Sequence, residues 1–177
     1  AVVIKHNTPC GVATDASLEQ AYRRARAVDE TSAFGGIVAL NREVDVATAT
    51  ALAETFLEAV IAPSYAAQAR EILAGKKNLR LLEAGAALAS TTVKPRAQLD
   101  ARSVSGGLLL MDRDAVEPET EWKVVTKRQP TAEELAALRF AWKVCKHVKS
   151  NAIVFATPDG LLAQAGGQTS RVDSVKI

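Results

Sequence analysis

Histidine and cysteine are scarce in this chain. His6 and His147 are its only histidines, and Cys10 and Cys145 its only cysteines. The cysteines lie far apart and belong to no ligand-spaced cluster, so a zinc site has no obvious donors. Pro9-Cys10 matches the start of the deaminase run Pro-Cys-x-x-Cys. Position 13 is alanine, however, and no His-x-Glu follows the pattern, which removes zinc deamination. A disulfide between the two stays open, and so few cysteines fit reduced thiols in a cytosol. No apolar run approaches the roughly 20 residues of a membrane span. Net charge is only +2, with basic and acidic residues interleaved. That excludes a strong electrostatic footprint for nucleic acid or a membrane surface. No signal peptide and no initiator methionine stand at the start. The chain opens in a strand-like run and stops in a helix-like one, so a piece of a longer, cytoplasmic protein is expected.

The 177 residues, 48% hydrophobic and 24% charged, are ordinary for a globular domain or two small units. The most informative stretch is Lys5-His6-Asn7-Thr8-Pro9-Cys10-Gly11. The apolar run Ala1-Val2-Val3-Ile4 precedes it, and Pro9 and Gly11 punctuate the backbone. The pattern predicts a buried strand that delivers polar residues into a tight loop. A base beside a cation at a strand end suits proton transfer. The plainer alternative is a strand-end turn with a surface lysine and histidine. Neighbours on a strand point to opposite faces, so Lys5 and His6 share a site only if the strand ends near Ile4.

A helix is expected after Ser17, with Ser17 and Gln20 as a capping box and Leu18, Ala21, Tyr22, Ala25 and Val28 on one face. Its arginines read as a solvated face. Asp29-Glu30-Thr31-Ser32 ends it, and Gly35-Gly36 precedes the strand Ile37-Val38-Ala39-Leu40. A second helix is predicted from Asp45, with Leu52, Ala53, Phe56, Leu57 and Val60 as its stripe. Glu58 then sits near the end of that helix, where a carboxylate opposes the dipole, and this marks it as exposed or functional. Ile61-Ala62-Pro63 reads as a strand end. Ser64 is the expected cap of a third helix that Gly75 closes, and Leu79 to Leu82 is a strand.

Alternating strands and helices over residues 1–85 imply parallel strands with helices on the sheet faces. Residues 86–127 read as a linker or excursion, irregular to about 105, with a strand near Gly106 to Met111. From 128 a second unit begins. Thr131 and Glu134 cap a long helix whose apolar face is Leu135, Leu138, Trp142, Cys145 and Val148. Positive charge in its last turns accounts for His147. A strand, Asn151 to Ala156, turns at Pro158-Asp159-Gly160 and returns through Leu161 to Ala165. Gly166-Gly167 then leads to a helix start carrying Arg171, with Ser170 and Asp173 as cap partners. On the residues alone this arrangement suits an anion.

Seven segments, in order, resemble one family. They are Lys5 to Gly11, Thr31 to Ala39, Ile61 to Pro63, Gly106 to Leu109, Trp122 to Thr126, Lys149 to Val154 and Gly167 to Ser174. The family is the aminoimidazole carboxamide ribonucleotide (AICAR) transformylase part of the bifunctional purine-biosynthesis enzyme that also carries IMP cyclohydrolase. Thr169 stands where the family usually has Met or Gln. The resemblance implies cytidine-deaminase-like three-layer α/β/α units without the zinc, one mostly complete at 1–85 and part of a second at 128–177.

It also implies formyl transfer from 10-formyltetrahydrofolate to AICAR, with no metal, in a homodimer. Lys5 and His6 would be catalytic. Gly35, Glu58, Asn151 and Arg171 would bind the nucleotide, and Val172 the folate. Glu58 would meet the ribose, and Asn151 and Arg171 the carboxamide. An arginine upstream of this sequence would take the phosphate. By itself the 177-residue chain is expected to be inactive. Two alternatives remain: a non-catalytic nucleotide-binding or dimerisation fragment, and an unrelated α/β enzyme that uses the glycine pair for phosphate.

Overall fold

The computed structural model describes residues 1–85, 99–112, 114 and 122–177. It divides into two compact units, Ala1–Ala89 with Pro130–Ile177, and Ser90–Gln129. The first is built on a five-stranded sheet in the order β2-β1-β3-β4-β5. The strands are β1 (Val2–Lys5), β2 (Thr8–Val12), β3 (Gly36–Ala39), β4 (Leu57–Ala62) and β5 (Arg80–Glu83). β1 pairs antiparallel with both β2 and β3, and β3, β4 and β5 run parallel. The α/β class is as expected. The all-parallel order is not: β1 runs antiparallel to β3, and the unanticipated β2 pairs antiparallel with β1 at the sheet edge, so the sheet is mixed.

β2 was not anticipated, because Pro9 and Gly11 read as loop. Both fit an edge strand. Pro9 faces Ile4 where the register shifts, and an edge position spares its missing N–H. Gly11 lies against helix α1 (Leu18–Ala27), where a Cβ would stand 1.8 Å from the Ala25 carbonyl oxygen.

Helices α1, α3 (Val46–Ala53) and α4 (Ala67–Ala74) cover one face of the sheet. Val3, Val38 and Val60 are in register on that face and fully buried against Tyr22, Leu52 and Leu73. Burying each such side chain contributes about 1.5–3 kcal/mol. The other face carries Ile4, Ile37, Ile61 and Leu82, all partly open. The short helix α2 (Glu30–Ala33), capped by Asp29, closes the turn into β3.

Three local expectations are corrected. Leu57 and Val60 belong to β4 and not to the second helix, which stops at Ala53. Glu58 is therefore a strand residue, and no helix dipole acts on it. Ser64 does not cap α4: its hydroxyl donates to Glu43 at 2.8 Å, and Ala66 holds the N-cap position without a side-chain bond. The arginines of α1 are not merely solvated. Arg23 pairs with Glu19 and Glu54, and Arg24 with Asp15 and Asp159.

The cap of α3 is the Asp45 carboxylate, which accepts the Thr48 amide at 2.8 Å. The Thr48 hydroxyl beside it, and then that amide, hold the Asp45 carboxyl below its ordinary range. Asp45→Ala is expected to cost about 0.5–2 kcal/mol in urea unfolding at neutral pH. The folded-state pKa lies below the unfolded one, so the ionised cap contributes fully above the unfolded value. That contribution fades as pH falls through the folded value. The gap between parent and variant should therefore narrow as pH falls below the ordinary aspartate range. A constant gap would remove the charge from the argument.

The second half of this unit holds α5 (Ala132–Cys145), the hairpin β8 (Ile153–Ala156) and β9 (Leu161–Ala165), and α6 (Arg171–Lys176). The capping box at Thr131 and Glu134 forms in full. Its expected apolar face does not close, however: Leu138 and Trp142 are half-exposed, and the small core is made by Val144, Val148 and Leu161. The β8–β9 hairpin joins the first half through an antiparallel bridge from Ala13 to Gly160, the Thr14 amide donating to the Asp159 carbonyl, and the Arg24–Asp159 ion pair.

The second unit contains a hairpin, β6 (Leu99–Val104) with β7 (Gly107–Asp112), paired antiparallel and exposed along both strands. β6 replaces the irregular chain expected to about 105. Of the linker expected over 86–127, residues 86–98, 113 and 115–121 lie outside the described residues.

Both cysteines are free. The buried Cys10 thiol donates to the Val3 carbonyl, and burial pushes its pKa up. No helix among the described residues is long and apolar enough to cross a membrane.

Candidate functional site at the β1, β3 and β4 sheet end

Strand direction assembles the first group of residues. β1 ends where β3 begins, since Ile4 lies opposite Ile37 in an antiparallel pair. β3 and β4 begin at the same end, with Gly36 opposite Leu57. Lys5, His6, Gly35 and Glu58 therefore collect at one end of the sheet.

β1 continues through Lys5, one residue further than the shared-site argument required. The alternation breaks at His6 instead. His6 and Asn7 have φ of 49° and 67°, and they form the two-residue turn between Lys5 and Thr8. Two left-handed residues in such a hairpin give the primed turn whose twist matches the strands. Histidine and asparagine visit that region more readily than most side chains. The His6 side chain is exposed at the tip of the hairpin.

The Lys5 ammonium is half-buried and donates to the carbonyl oxygens of Phe34 at 2.7 Å and Gly35 at 3.2 Å. Gly35 has φ of 67°, and its amide donates to the Phe56 carbonyl at 2.9 Å. The rings of Phe34 and Phe56 lie 5.3 Å apart in a tilted pair, with Phe34 largely exposed. Phe56 was expected in the stripe of the second helix, which stops at Ala53, and neither phenylalanine was given a site role, although Phe34 stands directly before the glycine pair.

Glu58, half-exposed on β4, is engaged by Arg80 at 2.8 Å. This partner was also missed. Its signal is an arginine inside the apolar run of β5.

The second group surrounds the loop before α6. Asn151 is held firmly: its side-chain amide donates to the carbonyls of Gln168 and Thr169, each at 3.1 Å. The buried Ser174 hydroxyl donates to the Asn151 carbonyl at 2.9 Å. Both side-chain N–H groups of Asn151 are thus committed, and its Oδ1 remains as an acceptor. The two carbonyls also fix the amide orientation, because Oδ1 in that place would face two other oxygens.

Gly167, with φ of 75°, makes the turn and donates its amide to the Lys149 carbonyl at 2.7 Å. Gly166 passes so close to residue 149 that a Cβ would meet its carbonyl oxygen at 2.6 Å. Arg171 and Val172 open α6 and are exposed. The expected cap does not form: Ser170 occupies the N-cap with no side-chain hydrogen bond. α6 has only six residues, so its dipole offers little for an anion, and the Arg171 guanidinium is the stronger donor. No hydrogen bond or ion pair joins the two groups among the described residues.

The sheet, with Lys5, His6 and Glu58 at one end, defines an α/β domain. The whole sequence, residues 1–177, matches the family model described as AICARFT/IMPCHase bienzyme, and the chain belongs to that family. It is 78% identical over its full length to the bifunctional purine biosynthesis protein PurH of Myxococcus xanthus (strain DK1622), of which it covers 34%. It is 61% identical to the PurH of Anaeromyxobacter dehalogenans (strain 2CP-C), with 99% of this chain and 34% of that protein aligned. It is 52% identical to that of Nostoc punctiforme, covering all of this chain and 34% of the relative. The chain thus spans about a third of the length of the relatives it matches. Their name ties those relatives to purine biosynthesis.

Proposed function

We propose that this chain supplies part of the site for formyl transfer from 10-formyltetrahydrofolate to the 5-amino group of AICAR. The products are formyl-AICAR and tetrahydrofolate, and the process is the making of IMP in the cytoplasm. The observation that carries the reading is the gathering of Lys5, His6, Gly35 and Glu58 at one sheet end, in a chain of this family.

The acceptor amine is conjugated with an imidazole and a carboxamide, so it is a weak nucleophile. Its nitrogen attacks the formyl carbon, and the new C–N bond leaves the nitrogen positively charged. His6, exposed at the hairpin tip, takes a proton from that nitrogen and restores its neutrality. The carbonyl oxygen becomes an oxyanion, and the Lys5 ammonium is the nearby cation that stabilises it. Collapse breaks the bond from carbon to the folate nitrogen, which takes a proton from a second acid–base group as it leaves. Gly35 allows the backbone to approach the nucleotide. Glu58 accepts ribose hydroxyls, which requires Arg80 to share or release it. Asn151 offers Oδ1 to the carboxamide N–H, and Arg171 donates to the carboxamide oxygen. Val172 contacts the folate.

On this reading the phosphate ligand, further folate contacts and a second acid–base group come from other segments of a full-length chain and from the second subunit of a homodimer. A non-catalytic role is the competing reading. It would leave nucleotide binding intact without any transfer.

Calorimetry on a full-length chain carrying these residues tests the proposal, with AICAR first and a folate analogue second. Arg171→Ala is expected to weaken AICAR binding about tenfold or more, and Arg171→Lys to restore it only in part. A planar two-pronged donor fits a carboxamide better than a point charge does. Parent-like affinity in both variants would take Arg171 out of the site.

A further inference from the structure

The carbonyls of Phe34 and Gly35 both face the Lys5 ammonium, which lies 2.7 and 3.2 Å from them. Two successive carbonyl oxygens converging on one point repel each other unless a cation or strong donor stands between them. The glycine is confined on its other sides as well. A Cβ on Gly35 would stand 3.3 Å from the Lys5 Nζ and 3.4 Å from a Phe56 ring carbon. The following residue, Gly36, is enclosed more tightly and by backbone, with the Ala33 and Ile4 carbonyl oxygens 2.9 and 3.1 Å from where its Cβ would be. The left-handed conformation of Gly35 is thus set by three contacts. These are the ammonium on its carbonyl, the Phe56 carbonyl on its amide, and the strand pairing that begins at the next residue.

An ammonium carries three N–H donors. Two are spent on this turn, which leaves one for a ligand. Truncating the lysine would leave two converging carbonyls without their donor, next to a glycine whose unfolded freedom is large.

We propose that Lys5 is a positioning residue. Its ammonium fixes the Phe34–Gly35 turn, and through that turn it sets the surface on which the nucleotide rests. This rests on the reading above that Gly35 meets the nucleotide, and it assigns Lys5 a second role besides that of a cation at the reacting carbonyl. The main consequence of losing Lys5 is a turn that opens, and nucleotide affinity falls with it. Arginine can serve the same two carbonyls, because its guanidinium presents several donors in a fork.

The test compares Lys5→Met and Lys5→Arg with the parent in a full-length chain of this family that carries these 177 residues. Hydrogen exchange is followed in the segment spanning Phe34 to Gly36 and, as an internal reference, in the core segment around Val60. AICAR affinity and turnover are measured on the same samples. Lys5→Met is expected to speed exchange at Phe34 to Gly36 by about tenfold or more while the Val60 segment stays protected, and to weaken AICAR binding by about tenfold. Lys5→Arg should recover both.

Unchanged exchange at Phe34 to Gly36 in Lys5→Met overturns the proposal, whatever happens to activity. So does a loss of turnover with affinity and exchange intact, since the lysine would then act on the reacting atoms alone. If exchange changes as expected but AICAR does not bind the parent, the turn assignment holds and the nucleotide reading fails. If Lys5→Met exposes the Val60 segment too, Lys5→Arg decides. Parent-like protection at Phe34 to Gly36 together with parent-like affinity supports the proposal, and loss of either overturns it.

Discussion

Replacing His6 is expected to lower formyl-transfer turnover by about two to four powers of ten, with AICAR affinity changed by less than about threefold. A general base acts in the transition state, so its loss falls on turnover and not on ground-state binding. The choice of substituent matters because His6 holds a left-handed backbone, with φ of 49°. Alanine would remove the imidazole and also strain the hairpin turn. Asparagine removes the base and tolerates the same backbone. His6→Asn is therefore the cleaner variant, and His6→Ala should add a loss of stability to the same kinetic defect. Steady-state kinetics decide the matter. A raised Michaelis constant for AICAR with unchanged turnover would make His6 a binding residue and leave the reaction without its base.

Gly11→Ala is expected to destabilise the chain by at least about 3 kcal/mol, at the upper end of overpacking costs. The added Cβ would lie 1.8 Å from the Ala25 carbonyl oxygen, and that oxygen belongs to the backbone of α1. No rotamer change relieves the clash, so either the hairpin or the helix must move. The hairpin carries Lys5 and His6, so the site should suffer along with the fold. Urea unfolding of the 177-residue chain measures the effect. A midpoint equal to the parent's would mean that β2 and α1 do not approach as described.

The contrast between these two positions shows what the sequence could convey. The strand before Lys5, the Ser17 cap and the Thr131–Glu134 capping box were legible, because each rests on neighbours a few residues apart. The box expected at Ser17 forms only by half, since the Ser17 amide donates to Asp15 and not to Gln20. β2 was hidden, since Pro9 and Gly11 carry the ordinary signature of a loop. An edge strand tolerates both. β4 was hidden for another reason: Leu57 and Val60 continue the helical spacing of Leu52, Ala53 and Phe56. A short apolar run cannot be told apart by period alone.

The shared spacing placed Glu58 at a helix end and gave it the wrong electrostatic argument, although the residue does lie at the same sheet end as Lys5 and Gly35. The site as a whole depends on β1 running antiparallel to β3 and on β3 running parallel to β4. Those are long-range pairings, and residue spacing does not report them. The Lys5 contacts with Phe34 and Gly35, the Arg80 partner of Glu58 and the two committed side-chain N–H groups of Asn151 are likewise products of tertiary packing. The family motifs pointed to the residues, and the fold shows which hydrogen-bonding groups each of them has left.

The most direct test of the account is a formyl-transfer assay run side by side on two proteins. One is a full-length chain of this family carrying these 177 residues, and the other is the 177-residue chain alone. Both receive 10-formyltetrahydrofolate with and without AICAR. The account predicts release of tetrahydrofolate from the longer chain only when AICAR is present, matched mole for mole by formyl-AICAR. It predicts little or none from the shorter chain, which lacks most of the positioning that supplies the rate. No AICAR-dependent release from the longer chain would contradict the proposed function. Turnover by the 177-residue chain within about tenfold of the longer one would contradict the view that the site is shared with other segments.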